Sequence, residues 1–198
     1  MRKFVKIAKT IGLSYEVPTD LDLSLKHVSN LVIIDEECRA YISLRKVLEE
    51  LKAEVFVVNE GNIASQTLKI LGKDRVEVLT LGIDLGSRLA YAIFADDMLI
   101  DVGFTESPKE LMIRLDEITS DLKPLKTVVK VGVTESRGLE FVNDLLKFMS
   151  MKDLQVFLVD ESNTSRETTS YYIKAYDVRD KDLRAAINIA LKEGFRLT

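Results

Sequence analysis

Asp84 stands inside "LGIDLGSRLAYAIF", residues 81–94, two apolar runs joined by a glycine-containing turn. A carboxylate buried there without a partner costs several kcal/mol or has its pKa driven upward. It therefore needs a neighbouring charge, a metal ion or a place at the exposed end of a strand. Three other stretches set acids in comparable positions: Glu135 closes "KTVVKVGVTE", Asp160 and Glu161 close "LQVFLVDE", and Asp182 opens "DLRAAINIALKEGF". Carboxylates brought together can hold two divalent ions about 3.5–4 Å apart, activating a water and stabilising both oxygens of an in-line phosphodiester displacement. The chain has one cysteine, Cys38, and one histidine, His27. That excludes an internal disulfide framework and a cysteine-based zinc site, and leaves no histidine cluster for a metal or a serine triad. A metal would be held by carboxylates, a donor set suited to Mg²⁺ or Mn²⁺. His27 and Cys38 themselves fit ordinary structural roles.

The acids also have plainer readings. Asp84 near a strand tip can satisfy turn amides. Glu135 and Asp182 can serve as N-terminal helix charges favoured by the dipole.

The elements that position these residues follow from periodicity. "VLTLGID", "RLAYAIFAD" and "MLIDVGFTE" are three apolar runs separated by "LGS" and the pair Asp96 and Asp97, the pattern of an antiparallel meander. "SPKELMIRLDEITSDLK" is a helix capped by Ser107 with Pro108 in its first turn, and Leu111, Leu115, Ile118 and Leu122 line one face. "KTVVKVGVTE" is a strand, "SRGLEFVNDLLKFMSM" a helix, "LQVFLVDE" a strand, and "KDLRAAINIALKEGF" a terminal helix whose Ala185 and Ala186 permit close packing on a sheet. Strand ends in an open sheet with parallel neighbours converge on one edge, so Asp84, Glu135, Glu161 and Asp182 are expected to meet there. Meander, helix, strand, helix, strand, helix is the element order of the ribonuclease H-like fold, an α/β architecture with a mixed five-stranded sheet and helices on both faces.

Upstream, "RKFVKIAKTIGL" puts Phe4, Ile7 and Ile11 on one helical face, and Pro18 breaks the irregular stretch that follows. "NLVIID", "EECRAYISLRKVLEELKA", "EVFVVN" and "IASQTLKILGK" then alternate strand and helix, which predicts parallel βαβ pairing. We expect two domains: residues 1–78, a small α/β docking or dimerisation module, and residues 79–198, with the boundary near 73–79. Asp35, Glu36 and Glu37 follow a strand but are explained as acids opening a helix.

The blocks "LGIDLGSRLAYAIF", "LVDESNTS" and "DKDLRAAINIAL" resemble the three signature blocks of the YqgF (RuvX-like) family of Holliday-junction resolvases, relatives of RuvC. The resemblance covers the second domain. It implies a ribonuclease H-like fold, Mg²⁺ or Mn²⁺, structured DNA or RNA as substrate and a link to ribosomal RNA processing. By the same likeness Asp84, Glu161 and Asp182 are catalytic metal ligands, while Glu135 sits where RuvC-type enzymes place their second acid. The chain departs from the family at Ser162, where the block has arginine, and at "TESRG", where the family has a proline-containing "GLP". Actin-like ATPases open with a strand and turn similar to "GIDLGS", but that architecture needs two such domains around the nucleotide.

The 198 residues, 46% hydrophobic and 30% charged, fit a soluble globular protein. No run approaches the roughly 20 apolar residues of a membrane span, and "MRKFVKIAKTIGLSYEVP" lacks the apolar core of a secretory leader, so a cytoplasmic protein without membrane contact is expected. The net charge of −4 does not advertise nucleic-acid binding, yet Arg166, Lys174, Arg179, Lys181 and Arg184 lie among Tyr171, Tyr172 and Tyr176. Cations beside stackable aromatics suit a nucleic-acid groove; the same run suits a solvated face. Two functions stay open: a two-metal endonuclease, and a non-catalytic nucleic-acid-binding or scaffold protein retaining the fold. A homodimer is compatible with either.

Overall fold

The apolar runs "LVIID" and "EVFVV" pair in parallel as β1 (Leu31–Asp35) and β2 (Glu54–Val58) in a computed structural model of the chain, from Leu31 opposite Glu54 to Asp35 opposite Val58. The structure describes residues 31–36, 48–50, 52–59, 63–133, 141–143, 147, 154–161, 172–173 and 178–197. The expected helix over 1–12 lies outside them, and of the helix expected between β1 and β2 only residues 48–50 are described. Helix α1 (Ile63–Ile70) stops because Gly72 takes φ 70, which lets the N–H groups of Gly72 and Lys73 reach back to the carbonyls of Lys69 and Leu68.

The meander forms as its turn chemistry demands. Strands β3 (Val78–Leu85), β4 (Leu89–Ala95) and β5 (Met98–Thr105) run antiparallel in succession. Asp96, at φ 54, makes the second turn, and its carboxylate accepts from the N–H groups of Glu77 and Val78. Ser107 caps α2 (Pro108–Leu122) by accepting from the Glu110 N–H, and the Glu110 carboxylate reaches back to the Glu106 N–H and the Thr105 hydroxyl. Leu111, Leu115, Ile118 and Leu122 are buried as the period predicts.

Strands β6 (Lys126–Val133) and β7 (Leu154–Asp160) add in parallel beside β3. Helix α3 (Lys181–Leu191) follows, then β8 (Phe195–Arg196), antiparallel to β7. The mixed sheet therefore has the order β5-β4-β3-β6-β7-β8 and six strands, one more than expected.

Alternation along β3 divides two cores. Leu79, Leu81 and Ile83 belong to the cluster that includes Leu111, Val129, Val131 and Val156, joined by Ala64 and Leu68 of α1. Gly82 and Asp84 take the opposite face, toward α3. A Cβ on Gly82 would stand 2.6 Å from the Ala190 nitrogen and closer still to the Ala186 carbonyl oxygen, so only glycine lets the helix backbone lie this near the strand. Ala186, Ile187 and Ala190 of the helix close a second core with Ala90, Ala92, Phe94 and Leu99. Lys130, half-buried on β6, donates from Nζ to the carbonyls of Ala190 at 2.8 Å and Lys192 at 2.6 Å, holding the C-terminal end of α3 to the sheet.

Candidate functional site

Strand pairing brings two of the expected acids to one end of the sheet. Asp84 is the penultimate residue of β3 and Glu161 directly follows β7, with β6 lying between the two strands. Asp182 is the second residue of α3, and its Oδ2 lies 3.7 Å from the point where a Cβ on Gly86 would stand, which sets it against the β3–β4 turn. Asp84 is 8% exposed, and the charges of Glu161, Asp182 and Asp180 all act on it.

The electrostatics follow from that crowding. Burial first, then the charges of Glu161 and Asp182, push the Asp84 carboxyl up to about 7; Lys181 pulls the other way and Asp180 adds to the rise. Burial, then the neighbouring Asp160, push the Glu161 carboxyl upward as well. Among the described residues no three His, Cys, Asp or Glu side chains close into a group that could hold a metal ion as they stand.

The helix that carries Asp182 is fixed at its start by a residue that sequence reasoning left aside. Asp180 is the N-cap; its side chain accepts from the Asp182 N–H at 2.9 Å. It also pairs with Arg88, 3.3 Å away at the tip of the β3–β4 hairpin, and the Arg88 guanidinium stacks 3.8 Å above the Phe104 ring. The "DKD" pattern was the available signal for the cap; nothing local marked Arg88, whose partners come from distant elements.

Glu135, Arg166 and Lys174 lie outside the described residues, as do Tyr171 and Tyr176. Lys181 and Arg179 are exposed next to the site, and Arg184 donates to the Arg179 carbonyl. Tyr172 is not a free stacking platform: its ring meets Phe94 edge-on with centroids 5.1 Å apart, and its hydroxyl donates to the Asp97 carbonyl. An open crevice of about 610 Å³ lies at the opposite end of β3, lined by Lys73, Arg75, Glu77, Val78, Thr80 and Asp96. It contains none of Asp84, Glu161 and Asp182, and its lysine is already paired with Asp96 and Asp97.

No helix among the described residues is long and apolar enough to cross a membrane. No family model and no curated protein matches the chain. Among solved structures, a fowlpox virus resolvase in complex with Holliday junction DNA is similar, at 14% identity and a TM-score of 0.39, over 57% of this chain and 94% of that one.

Proposed function

We propose that the protein is a metal-dependent phosphodiesterase of ribonuclease H-like fold, an endonuclease acting on structured DNA of the Holliday-junction kind or on structured RNA. One observation carries this reading: Asp84, Glu161 and Asp182 come from three separate elements, and burial first, then the charges of the other two, hold the Asp84 carboxyl against ionisation. Such a group is costly to keep unless a cation or a proton compensates it.

The residues fit a hard divalent cation by donor chemistry, since all are carboxylate oxygens. Asp84, Glu161 and Asp182 would hold it, with Glu135 as an auxiliary ligand. When bound, Mg²⁺ or Mn²⁺ supplies an activated water and charge neutralisation for an in-line displacement at phosphorus. The protein's own part is to orient. Asp84 anchors from the rigid central strand, the Asp180 cap holds Asp182 in the first turn of α3, and Lys181 and Arg88 put positive charge beside the acids where a phosphate chain would approach. Arg166, Lys174, Arg179 and Arg184 are proposed to extend that contact. Residues 1–78 are proposed to dock a partner or a second copy of the chain.

A cleavage screen on branched DNA, RNA–DNA hybrid and structured RNA, with Mn²⁺ and with EDTA, tests the proposal. Cleavage of one of these only with Mn²⁺, and its loss in Asp84→Asn, supports it; no cleavage of any substrate refutes catalysis. The absence of a closed three-acid group among the described residues favours a second reading, a non-catalytic nucleic-acid-binding protein of the same fold. Calorimetry with Mn²⁺ separates the two, because a scaffold shows no carboxylate-dependent uptake.

A further inference from the structure

We infer that Gly132 is a positioning residue of the acidic site: its missing side chain is the space through which Glu161 reaches back over β6 toward Asp84. The inference rests on the metal-binding reading above and adds a residue to it that takes no part in ligation.

The register puts Gly132 between the two acids. Ile83 pairs with Val131, so one step further Asp84 and Gly132 are neighbours across β3 and β6. Gly132 in turn pairs with Val159 on β7, and Glu161 emerges two residues later, on the same face by the two-residue period of a strand. Its side chain does not continue outward. A Cβ built on Gly132 would stand 2.9 Å from the Glu161 Cγ and 2.7 Å from its Oε1, with the Ile189 Cδ1 closer still. The glutamate stem and carboxylate therefore lie directly over the glycine, and α3 presses Ile189 against the same spot. Heavy atoms do not approach a Cβ that closely, so an alanine here must displace Glu161, Ile189 or both.

Ile189 gives way by losing its terminal methyl, and this makes the inference separable from simple overpacking. In Gly132→Ala/Ile189→Val the helix contact is relieved while the contact with Glu161 is not. Mn²⁺ binding is measured by calorimetry at pH 7.5 on wild type, Ile189→Val, Gly132→Ala/Ile189→Val, Glu161→Gln/Ile189→Val and the triple variant, with a thermal melt in EDTA for each. The expected result is that Ile189→Val binds as wild type does, whereas adding Gly132→Ala weakens binding at least tenfold. In the Glu161→Gln/Ile189→Val background the same alanine produces no further loss. A tenfold effect that persists without the Glu161 charge shows that Gly132 acts on the fold generally and overturns the inference. So does unchanged binding in Gly132→Ala/Ile189→Val. If wild type itself takes up no Mn²⁺, the metal reading fails and this inference falls with it; binding by wild type together with indifference to the alanine overturns this inference alone.

Discussion

Replacing Asp84 by asparagine should make the metal-free protein more stable at neutral and alkaline pH and leave it nearly unchanged in acid. The sign follows from the direction of the shift. A carboxyl that titrates at about 7 in the folded chain against an ordinary value of 3.8 binds its proton more tightly when folded, so ionisation opposes folding. Below about pH 4 the group is protonated in both states and costs nothing. From there to pH 7 wild type loses about 1.4 kcal/mol of stability per pH unit on this account, and above pH 7 the loss levels off at about 4 kcal/mol, the difference of roughly three units at about 1.4 kcal/mol each. Asparagine keeps the shape and cannot ionise. Urea unfolding of wild type and Asp84→Asn in EDTA at pH 4, 5.5, 7 and 8.5 reads this directly, as a stability difference that grows with pH and then flattens. A difference independent of pH, or a variant that is less stable at pH 8.5, would show that Asp84 is held by turn amides and that the acidic crowding around it is inconsequential. Millimolar Mn²⁺ should then close most of that gap at pH 8.5, because a cation present at 100 times its dissociation constant stabilises the folded wild type by about 2.7 kcal/mol and the variant by far less.

Glu161→Gln should remove nearly all Mn²⁺-dependent cleavage, whereas Glu135→Gln should reduce it only in part; turnover of both variants side by side decides it, and a dead Glu135→Gln beside an active Glu161→Gln would move the site by one strand. Gly82→Ala should destabilise by about 3 kcal/mol or more, the upper range for overpacking, because both obstructing atoms that matter are helix backbone and cannot rotate aside; a urea midpoint equal to wild type refutes the close approach of α3. Nucleic-acid affinity should fall linearly on logarithmic axes as salt rises, and Arg88→Ala should make that slope shallower while changing stability by under about 1 kcal/mol, as an exposed pair does. A slope unmoved by Arg88→Ala removes that residue from the phosphate path.

Much of this architecture was legible because its signals are local. The meander announces itself by turns at Gly86 and at Asp96 and Asp97, and α2 by Ser107, Pro108 and a regular apolar face. That Asp84 and Glu161 share one end of the sheet could be foreseen because each ends a strand and parallel strands share an end, while Glu135, expected beside them, lies outside the described residues. What escaped is non-local. A two-residue strand such as β8 carries no period to detect. Gly132 and Gly82 look like weak points in apolar strands until the side chain or helix lying over them is known. Tyr172 offered itself as a stacking aromatic, and only the tertiary fold shows its ring spent on Phe94. Arg88 carried no signal at all, since its aromatic seat and its carboxylate partner belong to β5 and the start of α3.

The grip of Lys130 on the last carbonyls of α3 also bears on the order of assembly. Asp182 reaches the acidic end only when its helix has docked, and docking requires β6 to be in place to supply that lysine. As the chain emerges from its N-terminus, Asp84 waits on an early strand while Glu161 and Asp182 arrive with the closing elements, through contacts distant in sequence and therefore slow to form. A cation that needs all three acids binds finished molecules and ignores partial ones. Under the metal-binding reading proposed above, it would thereby stabilise completion over every intermediate.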